Sequence, residues 1–222
     1  MSELGNELLM FARGSGFDLA VIIFLFGILI RVLEIVLLGR KVDLAKPRAD
    51  DYVKQGYLSI FRRFLPMQGL MKEAPVTVVA GYIFHVGFIL VMLFYIPHIE
   101  QIKATIGLSW PGISTPVMDF ITVITIMALI ALLADRLVSP VKRLISTRED
   151  YITWLVTFLP MVTGYFAYHH MLLPYAMMLA LHLLSVELLL VVLPFTKLSH
   201  MFTFFISRYY TGEMFGKRGV EA

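Results

Sequence analysis

Five stretches of the chain carry almost unbroken apolar side chains, at about 18–38, 76–97, 116–135, 151–171 and 174–196. Each has about the 20 residues that a helix needs to cross a bilayer. Backbone amides and carbonyls in hydrocarbon must pair within their own segment, so spans of this length are helices rather than isolated strands. The pattern predicts an all-α fold, an integral membrane bundle of five transmembrane helices, with residues 1–222 as a single membrane domain. One long connection, about 41–75, contains a run from Tyr52 to Leu65 that mixes aromatic and basic residues. It reads as a short amphipathic helix lying in the interface, either a surface for a partner or a membrane-hugging connector.

Composition agrees with that pattern. Hydrophobic residues make up 59% and charged residues only 16%, outside the usual range for a soluble globular domain. The spans use so much of the chain that any chemistry must sit between helices or at their ends. The first apolar run follows Glu3, Asn6 and Glu7 and is longer than the h-region of a signal peptide, so it is expected to be retained.

The net charge of +3 does not point to nucleic acid, because in a membrane chain the distribution of charge matters more than its sum. Lys and Arg near helix ends accumulate on the cytoplasmic side. Arg40, Lys41, Lys46, Arg48, Lys54, Arg62, Arg63 and Lys72 lie between the first and second spans. Arg136, Lys142, Arg143 and Arg148 lie between the third and fourth, and Lys197, Arg208, Lys217 and Arg218 follow the fifth. The opposite side keeps only Arg13 and Lys103, with Arg31 inside the first span. The N-terminus is therefore expected outside and the C-terminus in the cytoplasm, as for a multi-pass protein of the inner, cytoplasmic membrane.

The chain has no cysteine, which excludes cysteine-ligated iron–sulfur clusters, covalent c-type haem and a thiol nucleophile within it. Its chemistry rests on histidine, which is costly in a bilayer and faces the bundle interior when present. His182 and His200 are 18 residues apart. On a continuous helix that is five turns, one face, and roughly 27 Å of rise. His85 and His98 are 13 apart on or just beyond the antiparallel second span, roughly 20 Å of rise. Matching depths pairs His85 with His200 in the inner half and His98 with His182 in the outer half. On an ideal helix His98 stands about 140° from the face of His85, so a distortion at Pro97 or a continuation past the helix end must bring it round.

A structural zinc needs four clustered ligands and a catalytic zinc usually three, whereas these histidines separate by depth into twos. Two axial imidazoles on a planar macrocycle fit that arrangement, and the metal then expected is haem iron. Gly81 and Gly87 either let such a ring approach or serve close helix packing. His169 and His170, at the outer end of the fourth span, are alternatives for the outer ligand, proton-handling groups near a quinone, or wet interfacial residues.

Other polar residues are less telling. Glu187, near the middle of the fifth span, is either protonated, paired or part of a proton path. Arg31 and Glu34 have the spacing of an ordinary helix-surface pair. Arg136 or a linker arginine could meet haem propionates, and Asp119 suits the positive end of its helix.

The chain resembles the gamma, cytochrome b subunit of respiratory nitrate reductase and its wider family of membrane cytochromes in heterodisulfide-reductase-like, sulfur-metabolism and hydrogenase complexes. The resemblance covers roughly 17–205. It rests on Phe84-His85-Val86-Gly87, on Arg136-Leu137-Val138-Ser139-Pro140, on Leu181-His182-Leu183, and on Pro194-Phe195-Thr196-Lys197-Leu198-Ser199-His200. It implies two b haems on four histidines, the inner one facing a cytoplasmic iron–sulfur subunit and the outer one near a quinol site. His85, His182 and His200 match the family's ligand positions. The position ten after His85, a ligand in the nitrate reductase branch, is Tyr95 here, which makes His98 the replacement and a different branch the better match.

The expected function is quinone-linked transmembrane electron transfer by a di-haem b subunit, an electron-transfer component of an oxidoreductase complex that is not catalytic alone on a soluble substrate. The alternative is a non-redox or single-haem membrane anchor for a soluble enzyme.

Overall fold

The computed structural model describes residues 2–39, 44–66 and 68–220. Arg40 and Lys41, two of the basic residues behind the expected orientation, lie outside them. The described elements are all helical. They are α1 Ser2–Arg13, α2 Ser15–Leu38, α3 Tyr52–Arg62, α4 Gln68–Glu73, α5 Pro75–Phe94, α6 Ile96–Ile106, α7 Thr115–Val138, α8 Pro140–Ile145, α9 Arg148–Tyr168, α10 Tyr175–Val192 and α11 His200–Lys217. Two 3₁₀ turns, Leu193–Phe195 and Lys197–Ser199, separate α10 from α11.

Among the described residues four helical stretches are long and apolar enough to cross a membrane: Glu3–Leu38, Pro75–Phe94, Thr115–Val138 and Tyr175–Phe195. Their surfaces expose large apolar side chains such as Ile22, Leu25, Phe26, Val86 and Phe120, more than a water-facing surface tolerates. The chain is a multi-pass membrane protein whose solvent over these helices is the lipid bilayer. The remaining predicted span forms α9, whose 21 residues include Pro160 and several threonines and tyrosines, so it is less apolar than the other four.

The chain divides into two compact units, Met1–Ala20 with Ala74–Leu189, and Val21–Glu73 with Leu190–Ala222. In the first unit, the buried positions of the N-terminal helices are Gly5, Ala12, Gly16 and Ala20. A Cβ on Gly5 would stand 3.2 Å from the Met177 backbone, and one on Gly16 would stand 2.9 Å from Glu187 Oε2. The residue numbers rise together, so α1 and the start of α2 run parallel to α10, with small residues allowing the close approach. Gly87 does the same for α5, where Thr125 of α7 fills the space a side chain would need. Val91, Met118, Leu129 and Met161 form the core of this unit.

α5 stops because Tyr95 is extended (φ −76, ψ 125) and Pro97 lies in the first turn of α6. The last four carbonyls of a helix have no intrahelical partner, and here three of them find one. The Trp110 indole N–H donates to Leu93 O at 2.6 Å, Ile113 N–H donates to Phe94 O at 2.9 Å, and the His98 ring takes Val91 O.

In the second unit α3 packs on α11 through small residues. Gly56 faces the Tyr209 ring, Gly212 faces Ser59, and Gly216 faces the backbone of Tyr52. Ser59 Oγ donates to Arg208 O at 2.6 Å. The expected helix within the connection is thus present as α3, with Val53, Tyr57 and Phe61 exposed along one stripe.

One expectation is corrected. His182 and His200 do not share a continuous helix, so the arithmetic of five turns and 27 Å does not apply. Pro194 lacks an amide hydrogen, Thr196 is extended (φ −124, ψ −177), and α11 starts afresh at His200. The break leaves Pro194 O for the Arg31 guanidinium, which donates to it at 2.9 Å while also pairing with Glu34 at 2.9 Å. Arg31 is therefore more than half of a helix-surface pair.

Candidate functional site

His98 and His182 are brought face to face in the first unit. Their ring centroids lie 6.3 Å apart and their planes differ by 15°. The break at Tyr95 makes this possible: α6 restarts with His98 N–H donating to Tyr95 O at 3.0 Å, and the ring turns back along α5 so that Nδ1–H donates to Val91 O at 2.9 Å. The rotation missing on an ideal helix is supplied there.

His182 projects from α10 towards α9. A Cβ on Gly164 would lie 2.8 Å from His182 Cε1 and 3.1 Å from Nδ1, so the imidazole occupies the space that glycine leaves. Thr163 Oγ1 is 3.4 Å from His182 Nδ1 and 3.0 Å from Ser185 Oγ, and Ser185 Oγ donates to His182 O at 2.7 Å.

Two imidazoles that each give one nitrogen to a single metal ion, at a metal–nitrogen distance of about 2 Å, have ring centroids about 6 Å apart. The observed separation matches that arrangement. Burial holds the His98 imidazole below its ordinary pKa, against the opposing effect of its bonds to the Val91 and Met92 carbonyls. The neutral ring is the form that binds a metal. Among the described residues no group of three or more His, Asp or Glu side chains converges as on a metal ion.

His85 lies on α5 in the first unit and His200 opens α11 in the second. Each holds Nδ1 on a local backbone carbonyl, His85 on Gly81 O at 2.7 Å and His200 on Lys197 O at 2.8 Å. With His98 this makes three histidines sharing one device. A carbonyl on Nδ1 fixes the tautomer whose lone pair is on Nε2, the orientation that metal-binding histidines use. Around Gly81 there is open space, with nothing within 4 Å of its would-be Cβ, whereas Gly87 is committed to helix packing.

His169 and His170 do not face His182. His169 Nε2 lies 3.3 Å from Asp119 Oδ1, and its ring sits 4.4 Å from Tyr165 and 5.3 Å from Tyr168. His170 has a positive φ of 54° and lies along the Tyr175 ring at 4.7 Å. Tyr95, at the position where the nitrate reductase branch has a ligand, stands between His98 and Tyr168 with ring centroids 5.3 Å from each. Arg136 donates to Ser146 Oγ at 2.8 Å and lies 3.6 Å from Asp150. Glu187 is 7% exposed, and its Oε1 has no hydrogen-bond partner.

Sequence reasoning missed Gly164, Thr163 and Trp110. The signal for the first two was the polarity of the fourth apolar stretch, whose threonines and glycine are those of a helix facing protein rather than lipid. Trp110 stands in a connection with no periodicity to mark it.

A protein of Nitratidesulfovibrio vulgaris, described only as "Protein", is 36% identical over 137 residues, which are 62% of this chain and 60% of that protein. The chain thus spans about three fifths of the length of the curated relative it matches. No family model matches the chain, and no solved structure does.

Proposed function

We propose that the chain is the di-haem b membrane subunit of a respiratory oxidoreductase complex, related to the nitrate reductase gamma family. It would carry electrons between the quinone pool and an iron–sulfur partner. The observation that carries this reading is the His98–His182 pair, whose separation and near-parallel planes suit one iron between two imidazoles. Held by His98 and His182, a haem would supply one-electron transfer and no bond chemistry. The protein's part is orientation: Val91 O and Gly164 fix the two rings. In this reading His169, held by Asp119 at 3.3 Å, would take a proton from a quinol on that side.

In this reading α9 is a fifth span within the bundle. Its 21 residues reach about 30 Å at 1.5 Å per residue, the thickness of the hydrocarbon core. Its threonines are satisfied internally, with Thr153 donating to Glu149 O, Thr157 to Thr153 O and Thr163 to Leu159 O. Five spans put the termini on opposite faces. The basic connections then set the N-terminus outside and the C-terminus in the cytoplasm of an inner-membrane protein.

The test is the reduced-minus-oxidised visible spectrum of the purified chain with a count of haem b per polypeptide. About two haems support both pairs, and one supports a single-haem subunit built on His98 and His182. A well-folded, haem-supplied preparation with none overturns the cytochrome reading in favour of a haem-free anchor. The anchor draws its own support from Tyr95, which occupies a ligand position of the nitrate reductase branch and packs against rings instead.

A further inference from the structure

In the second unit, two segments about 170 residues apart meet at a hollow lined by Ala45, Lys46, Arg48, Lys217, Arg218 and Val220. Four of those six are cationic, and among the described residues lining it none is acidic. The convergence is fixed by backbone: Arg48 N–H donates to Lys217 O at 2.8 Å. Gly216 lets α11 approach Tyr52, whose Cα would be 2.9 Å from a Cβ there.

Cations at a helix C-terminus often do no more than complement its exposed carbonyls. Here those carbonyls are already taken. Gly219 is left-handed at φ +70, Val220 N–H donates to Phe215 O at 3.0 Å, and Gly219 N–H donates to Gly216 O at 2.9 Å. That is the paired bonding of a glycine-closed helix end. Lys217 is engaged by Glu213 at 2.8 Å and lies over the Tyr52 ring. Among the described residues, Lys46, Arg48 and Arg218 line the hollow without an acidic side chain paired to them.

We infer that this hollow binds the phosphate headgroup of an anionic membrane phospholipid. The charge calls for an anion, and the arginine forks suit phosphate oxygens. Its surroundings select a lipid over an acidic peptide. Leu44 and Val220, beside the cations, expose 93% and 54% of their surface, and α3 in the same unit exposes Val53, Tyr57 and Phe61. Cations next to exposed apolar side chains match a headgroup next to its acyl chains.

The experiment is native mass spectrometry of the full chain in detergent, titrated with phosphatidylglycerol or with phosphatidylcholine. It compares wild type, the hollow variant Arg48→Gln/Arg218→Gln, and the equal-charge variant Lys54→Gln/Arg63→Gln on and beside α3. All are first checked as monodisperse with matched thermal unfolding, and if the double hollow variant misfolds, Arg218→Gln alone takes its place. The expected result is preferential retention of phosphatidylglycerol, weakened about five-fold for each hollow cation removed and little changed in the α3 variant. Equal losses in both variants would reduce the hollow to diffuse surface charge and overturn the inference, as would equal retention of the two lipids. Displacement of the lipid by inorganic phosphate at matched concentration would make it a site for free phosphate instead. Displacement by a matched acidic peptide would make it a protein contact. Neither of these bears on haem content, so the cytochrome reading stands or falls separately.

Discussion

Gly164 and His182 form a glove and hand across α9 and α10: the atom nearest to a Cβ on Gly164 is His182 Cε1, at 2.8 Å. Alanine at 164 must therefore move the imidazole or part the helices. Overpacking of this kind costs about 1–3 kcal/mol. The Gly164→Ala variant is expected to lower the unfolding midpoint and, on the proposed cytochrome reading, to weaken the haem that His182 would hold. A haem count alongside a melt checks this. Full haem content with wild-type stability would show that the ring has slack the geometry does not reveal.

The histidines around this site separate by partner. His98 shares a 6.3 Å ring spacing with His182, while His169 is held by Asp119 and His170 by Tyr175. On the proposed di-haem reading, the variant His98→Ala is expected to lose about half of the haem and to regain it partly when imidazole is supplied. His169→Ala and His170→Ala keep the full complement. The ranking is read from the low-spin haem signal in electron paramagnetic resonance, and loss of that signal in His169→Ala alone would reverse the ligand assignment.

How far this site was legible in the sequence depends on which kind of signal each residue leaves. His85, His98, His182 and His200 stood out because histidine is rare and costly in lipid, and the departure of His98 from the ideal face pointed to Pro97, where α5 indeed gives way to α6. The break at Pro194 is equally visible as a proline, and it interrupts the spacing between His182 and His200. Eighteen residues make five turns only while hydrogen bonding continues. α1 and α11 went unseen because their mean polarity resembles that of a loop. What identifies the N-terminal helices is a spacing of small residues, Gly5, Ala12, Gly16 and Ala20, and this has meaning only once α10 lies beside them. Gly164 and Trp110 act through partners distant in sequence, so no local pattern marks them.

Trp110 is expected to act on the site from outside it. Its indole N–H satisfies Leu93 O, one of the carbonyls exposed where α5 ends and the His98 turn begins. Phenylalanine keeps the ring but leaves that acceptor unmet, a loss of about 1–3 kcal/mol where water cannot replace it. Trp110→Phe should lower the unfolding midpoint of the purified chain. An unchanged midpoint would mean that water reaches Leu93 O and that the turn is wetter than its packing suggests.

Glu187 provides the sharpest test of the packing of α2 on α10. Its Oε1 has no hydrogen-bond partner, and its Oε2 lies against Gly16. A carboxyl group that gains nothing from its surroundings loses little when replaced by a neutral group of the same shape. Glu187→Gln is thus expected to melt at or above the wild-type temperature across pH 6 to 8. Gly16→Ala, which presses on Oε2, is expected to melt lower. The two substitutions touch one contact and predict opposite signs, so general fragility of the chain cannot mimic the pair. If Glu187→Gln instead destabilised by more than about 2 kcal/mol, the carboxylate would have to be holding a cation or a bound group, and its place on α10 would belong to the functional site.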